Sequence, residues 1–126
     1  RNICALPAFW VGLLYDGAAL DAAEALVAGW SQAEREHLRD EVPRSGLNTP
    51  FRGGTVLDLA RDAVAIAKQG LAARGRINWD GENETRYLRP LEEIVVKGRS
   101  VAEDLLERYH GPWGGSVDPV YEEYAF

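Results

Sequence analysis

The stretch Cys4-Ala-Leu-Pro-Ala-Phe-Trp-Val-Gly-Leu-Leu-Tyr-Asp16 is apolar on every side, and only its last two residues carry a polar or charged group. Such a stretch has no face to give to water, so it does not read as a surface helix. It is also shorter than the roughly 20 residues needed to cross a bilayer. The expectation is a buried core helix, with Pro7 in its first turn, where a missing N–H costs nothing.

The companions of that helix follow from spacing and caps. Ala19, Ala23, Leu26, Val27 and Trp30 recur at helical intervals after the Asp16-Gly17 turn and predict a second helix over about 18–28. Ser31-Gln32-Ala33-Glu34 is a capping box, opening a third, highly charged helix expected to stop before Pro43. Residues 43–54 read as the longest irregular stretch, with Thr49 pushed to extended geometry by Pro50. Thr55-Val56-Leu57-Asp58 opens a fourth helix with Val56, Leu59, Ala60, Ala63, Ala67 and Leu71 on one face, and Gly75 stops it. Residues 76–84 read as a loop around the Asp80-Gly81 turn. Tyr87, Leu88, Leu91, Ile94 and Val95 mark a fifth helix that begins at about Thr85 or later and ends at Gly98. A second capping box, Ser100 to Glu103, opens a sixth helix through about His110, with Val101, Leu105 and Tyr109 inward. The glycine-rich tail has room for one more short helix. No stretch alternates convincingly as a strand, so the expected fold class is all-α, with about six helices.

A chain of 126 residues is one domain's worth. Its 14 basic and 20 acidic side chains leave a formal charge of -6, which argues against a nucleic-acid or anionic-membrane partner. A single cysteine excludes an internal disulfide framework and a multi-thiolate metal site. With no signal-peptide pattern and no spanning run, a reducing, cytoplasmic setting is expected. The chain has no methionine and begins at Arg1. This reads as the C-terminal part of a longer protein, whose remaining residues would cover part of the first helix.

Few residues stand out chemically. His37 and His110 lack zinc-like spacing to a second ligand, and the pairs Glu92-Glu93 and Glu122-Glu123 point different ways on a helix. Gly111–Gly115 lacks the Lys-Ser/Thr of a phosphate loop. Cys4, just ahead of the apolar helix, reads as a buried, inert thiol. The best local candidate is Thr49-Pro-Phe-Arg-Gly-Gly54, which sets a guanidinium, a hydroxyl and backbone N–H groups before a helix start, a combination suited to an anion. The plainer alternative is a tight connection in which Arg52 caps a helix C-terminus or meets a carboxylate. The residues by themselves reach no reaction.

The chain as a whole resembles the C-terminal region of glutamate–cysteine ligase of the plant and alphaproteobacterial type. The resemblance rests on Cys4 to Asp16, Trp30 with Ala33-Glu-Arg35, Gly46-Leu-Asn-Thr-Pro-Phe-Arg-Gly53, Ala67 to Gly75 and Ala102-Glu-Asp-Leu-Leu106. It is carried most of all by Tyr109-His-Gly-Pro-Trp-Gly-Gly-Ser-Val-Asp-Pro119 and the ending Tyr124-Ala125-Phe126. Residues 76–84 match least and look like a variable loop.

The resemblance implies that residues 1–126 are a helical C-terminal segment of a larger α+β carboxylate–amine ligase fold, similar to glutamine synthetase, with the catalytic sheet outside the segment. It implies ATP and Mg²⁺, held mainly by the upstream part, and glutamate and cysteine as substrates. The γ-carboxylate of glutamate becomes an acyl phosphate and the amine of cysteine displaces phosphate. Arg1, Trp10, Tyr15 and Arg52 are the implied substrate-binding candidates; Cys4 is a candidate redox cysteine paired upstream. No catalytic residue and no metal ligand is assigned within the segment. The implied partners are the upstream part of the same protein and a homodimer, with no nucleic acid and no membrane. The implied setting is a bacterial cytoplasm, or a plastid for a plant protein. The competing reading is a non-catalytic helical interaction or cap module.

Overall fold

Residues 3–124 are described by the structure, a computed structural model. Among them the helices in chain order are α1 (Ala5–Leu14), α2 (Gly17–Val27), α3 (Gln32–Ser45), α4 (Val56–Arg74), α5 (Arg89–Lys97), α6 (Val101–His110) and α7 (Asp118–Glu123). Two 3-10 turns, Gly46–Asn48 and Glu84–Leu88, and a hairpin of β1 (Pro50–Phe51) and β2 (Gly54–Thr55) connect them. The all-α expectation holds, with a seventh helix formed by the tail.

The axis of the fold is α4. Its first turn is closed by Asp58, whose carboxylate accepts the Thr55 N–H at 2.9 Å. Gly75 ends it in the left-handed region at φ 61°, as the sequence predicts. The apolar face of α4 meets α1 at a crossing made of backbone. A Cβ on Gly12 would lie 2.2 Å from the Ala67 carbonyl oxygen, and one on Gly70 would lie 1.9 Å from the Gly12 oxygen. Around this crossing Ala67, Leu71 and Leu88 are fully buried and join Ala8 and Leu13 in the core. Each fully buried leucine contributes about 2 kcal/mol of transfer free energy. On another side, Arg61 Nε donates to the Val95 carbonyl at 3.2 Å and Lys68 pairs with Glu92 at 2.6 Å, holding α5 to α4.

Several sequence expectations change. The helix α3 runs through Pro43 to Ser45. Proline removes the bond to the carbonyl four residues earlier, and here that carbonyl belongs to the solvent-exposed Arg39, in a helix with only two residues left to run. The hairpin was not expected, because two residues per strand are too few to alternate. Tyr87 and Leu88 belong to the 3-10 turn, and α5 starts at Arg89 with Pro90 in its first turn. Nor is α1 buried all round: Leu6, Trp10 and Leu14 stay 59, 52 and 49% exposed, because only one side of it meets α4. No residue of α6 is fully buried; Leu105 and Tyr109 are half-buried and Val101 is exposed.

Both Ser capping boxes form as expected. Ser31 N donates to Glu34 at 2.7 Å and Ser100 N to Glu103 at 2.7 Å. The tail folds back on α6 through the Arg108–Glu123 ion pair and the Trp113 indole, whose Nε1 donates to Glu123 at 2.9 Å.

Candidate functional site

The hairpin turn is where the backbone is most constrained. Arg52 and Gly53 both have positive φ, 47° and 81°, the geometry of a tight turn with two left-handed central residues. For Gly53 this is free, whereas Arg52 is the one non-glycine residue with positive φ among the described residues. Its guanidinium explains why it is held there. Nε donates to Glu34 Oε1 at 2.6 Å, and Nη2 donates to Glu34 Oε2 at 2.9 Å and to the Gly29 carbonyl at 2.6 Å. One side chain thus fastens the hairpin to the end of α2 and the start of α3.

Glu34 is a hub in its own right, because the same carboxylate accepts the Ser31 N–H and hydroxyl of the capping box. His37, one turn further along α3, donates from Nε2 to the Pro50 carbonyl at 3.0 Å. Ala33, Glu34, His37 and residues 50–54 line an open cleft of about 620 Å³. The charge-assisted bonds from Arg52, followed by the Ser31 backbone N–H, lower the Glu34 carboxyl from 4.5 to about 2. The Arg52 guanidinium is raised in turn by the bond to Glu34.

A carboxyl whose folded pKa is depressed adds stability that is present above its unfolded pKa and lost as pH falls through the folded one. The tie is therefore complete above 4.5 and disappears as pH drops through about 2. Carboxyl NMR should show Glu34 titrating near 2, and Arg52→Ala should move it upward, short of 4.5 because Ser31 still donates. A Glu34 midpoint near 4.5 in the unaltered chain would mean that the clamp does not form.

The other candidates fall elsewhere. Arg1 lies outside the described residues. Trp10 lies on the exposed side of α1, lining an apolar cleft of about 340 Å³ between α1 and α2. Trp30 lines that cleft too, and its ring meets Phe51 edge-on at 4.9 Å, so an aromatic wall joins the apolar cleft to the Arg52 cleft. Tyr15 is exposed, with the Arg74 guanidinium 5.5 Å from its ring. Cys4 is exposed at the start of α1, where the sequence suggests a buried thiol. The reason is that α1 turns its Ala5, Ala8 and Gly12 side inward, and Cys4, the residue before its first turn, lies outside that face. Cys4 shares a pocket of about 200 Å³ with Glu84 and Tyr87, and Glu84 sits 3.4 Å from Arg74.

The structure therefore links Trp10 with Arg52 through Trp30 and Phe51, and sets Cys4 and Tyr15 around the Arg74–Glu84 pair. Sequence reasoning missed Glu34, whose capping-box position was visible but whose second partner lies 18 residues away. It also missed Glu84, which falls in the 76–84 stretch that reads from sequence only as a loop. Among the described residues no three His, Cys, Asp or Glu side chains gather as a metal-holding cluster. No described helix is long and apolar enough to cross a membrane.

Fold and site together define an all-α chain organised on one central helix, with an arginine-clamped hairpin beside an open apolar cleft. Residues 2–123 match the family described as Glutamate-cysteine ligase family 2 (GCS2). The chain belongs to that family. Over all 126 residues it is 48% identical to "Glutamate--cysteine ligase, chloroplastic" of Solanum lycopersicum, 49% to that of Nicotiana tabacum and 50% to that of Arabidopsis thaliana. In each case the whole of this chain is covered but only 23% of the relative, so it spans under a quarter of their length.

Proposed function

We propose that this chain is the helical C-terminal part of an enzyme that joins the γ-carboxylate of glutamate to the amine of cysteine. ATP would activate the carboxylate as an acyl phosphate, with Mg²⁺ neutralising charge between phosphates and carboxylates. Nucleotide and metal would be held mainly by the part of the enzyme outside these residues. The observation that carries the reading is the collinear match: the family covers residues 2–123, and relatives named as glutamate–cysteine ligases align with every residue of the chain. Their names also call them chloroplastic, which favours a plastid setting and lends nothing to a bacterial cytoplasm.

The chain's own part is to brace one flank of the substrate site. Of the candidates, Arg52 spends Nε and Nη2 on Glu34 and Gly29, so the cap role fits it better than ligand contact. In the longer enzyme, Arg52→Ala should lower the melting temperature and leave KM for glutamate, cysteine and ATP unchanged. A raised KM at unchanged stability would return Arg52 to the substrate site.

The reading itself is tested by phosphate release dependent on ATP, Mg²⁺, glutamate and cysteine. The longer protein is expected to turn over, and the 126-residue chain alone is expected not to. Turnover by the short chain, or none by the long one, would overturn it.

A further inference from the structure

Resting on the reading that this chain is one part of a longer ligase, we infer that the apolar cleft between α1 and α2 seats an amphipathic helix. That helix comes from outside residues 1–126, and Lys or Arg flanks its apolar face. Leu6, Trp10 and Leu14, spaced four apart, form an exposed apolar stripe along α1. The cleft beside Trp10 and Leu14 opens toward α2, where Val27 is 46% exposed. Among its lining residues only Glu24 is charged. A strand or loop laid there would leave its backbone N–H and C=O groups without partners. A helix satisfies its own backbone, and its aliphatic side chains need nothing from the cleft but contact.

Charge fixes the flanks of the occupant. Residues 3–33 contain Asp16, Asp21 and Glu24 and no Lys, Arg or His. Glu24 lines the cleft and the exposed Asp21 stands one turn before it on α2, so a second copy docked on the same face across a two-fold axis would set like charges together, which disfavours self-association there. An anionic membrane surface is disfavoured for the same reason. A basic flank is complementary. The curated relatives carry most of their length outside the region that this chain matches, which is where such a helix would lie.

Hydroxyl-radical footprinting of the longer protein, read tryptophan by tryptophan, tests this. Trp79, 94% exposed on the loop before α5, is the internal reference. Trp10 should label roughly tenfold more slowly than Trp79, as expected of an anchor shut away from water. Protection should persist on dilution, and Asp21→Lys with Glu24→Lys, both at exposed positions, should bring Trp10 labelling back toward Trp79. Labelling of Trp10 at a rate comparable to Trp79 leaves the cleft open and overturns the proposal. Protection lost on dilution assigns the cleft to a second copy and overturns it as well. Protection unchanged in the charge-reversed variant removes the basic flank and does the same. Ligase turnover is measured on the same sample. Protected Trp10 without turnover sinks the ligase reading alone, and turnover with open Trp10 sinks the docking site alone.

Discussion

Gly70→Ala is expected to destabilise the protein by about 3 kcal/mol, as overpacking does when nothing nearby can yield. The added Cβ would stand 1.9 Å from the Gly12 oxygen and 2.9 Å from the Ala19 Cβ. The first of these is backbone of a packed helix and cannot swing aside like the tip of a side chain, so α1 would have to lift off α4. Helix propensity argues the other way, favouring alanine over glycine inside a helix by about 1 kcal/mol. The sign of the effect is thus diagnostic. Gly17→Ala, at the first position of α2, where nothing lies within 4 Å and φ is not positive, adds a methyl group without the clash. Urea unfolding followed by circular dichroism compares the two. If Gly70→Ala were as stable as Gly17→Ala, α1 and α4 would not cross at this contact.

That crossing shows where the sequence was informative and where it stopped. The 3.6-residue spacing placed Ala63, Ala67 and Leu71 on the inner face of α4, because periodicity reports which side of a helix faces a core. Caps were readable for the same local reason, since Ser31 reaches Glu34 within one turn. Which element fills the groove opposite Gly70 is a tertiary fact, and no spacing within α4 names Gly12. Arg52 repeats the lesson. The loop could be marked as unusual from Gly53-Gly54, but the partners of its guanidinium lie 18 and 23 residues back, on two different elements. The all-apolar stretch misled in the other direction. A helix without a polar face still buries only the side its neighbours reach, and here that leaves Leu6, Trp10 and Leu14 in the open.

Leu88→Ala should cost about 3 kcal/mol, the usual range for a fully buried leucine whose surroundings cannot collapse into the gap. Leu88 is 0% exposed, closes the 3-10 turn and sits at the mouth of α5. It packs with Ala8, Leu13, Ala67 and Leu71, so one side chain from the 3-10 turn completes a core built by α1 and α4. The turn that carries it is fixed locally as well, by Asn83 Oδ1 accepting the Thr85 N–H at 3.0 Å and by Glu84 N donating to the Arg76 carbonyl at 3.2 Å. Relaxation into the space left by the missing atoms is therefore restricted, which puts the cost near the middle of the range. Leu106→Ala supplies the contrast: at 56% exposure on α6 it should change stability by no more than about 0.5 kcal/mol. Equal denaturation midpoints for the two variants would mean that the 3-10 turn does not dock on α1 and α4. The 76–84 segment leading into it would then be an ornament on the fold instead of one of its supports.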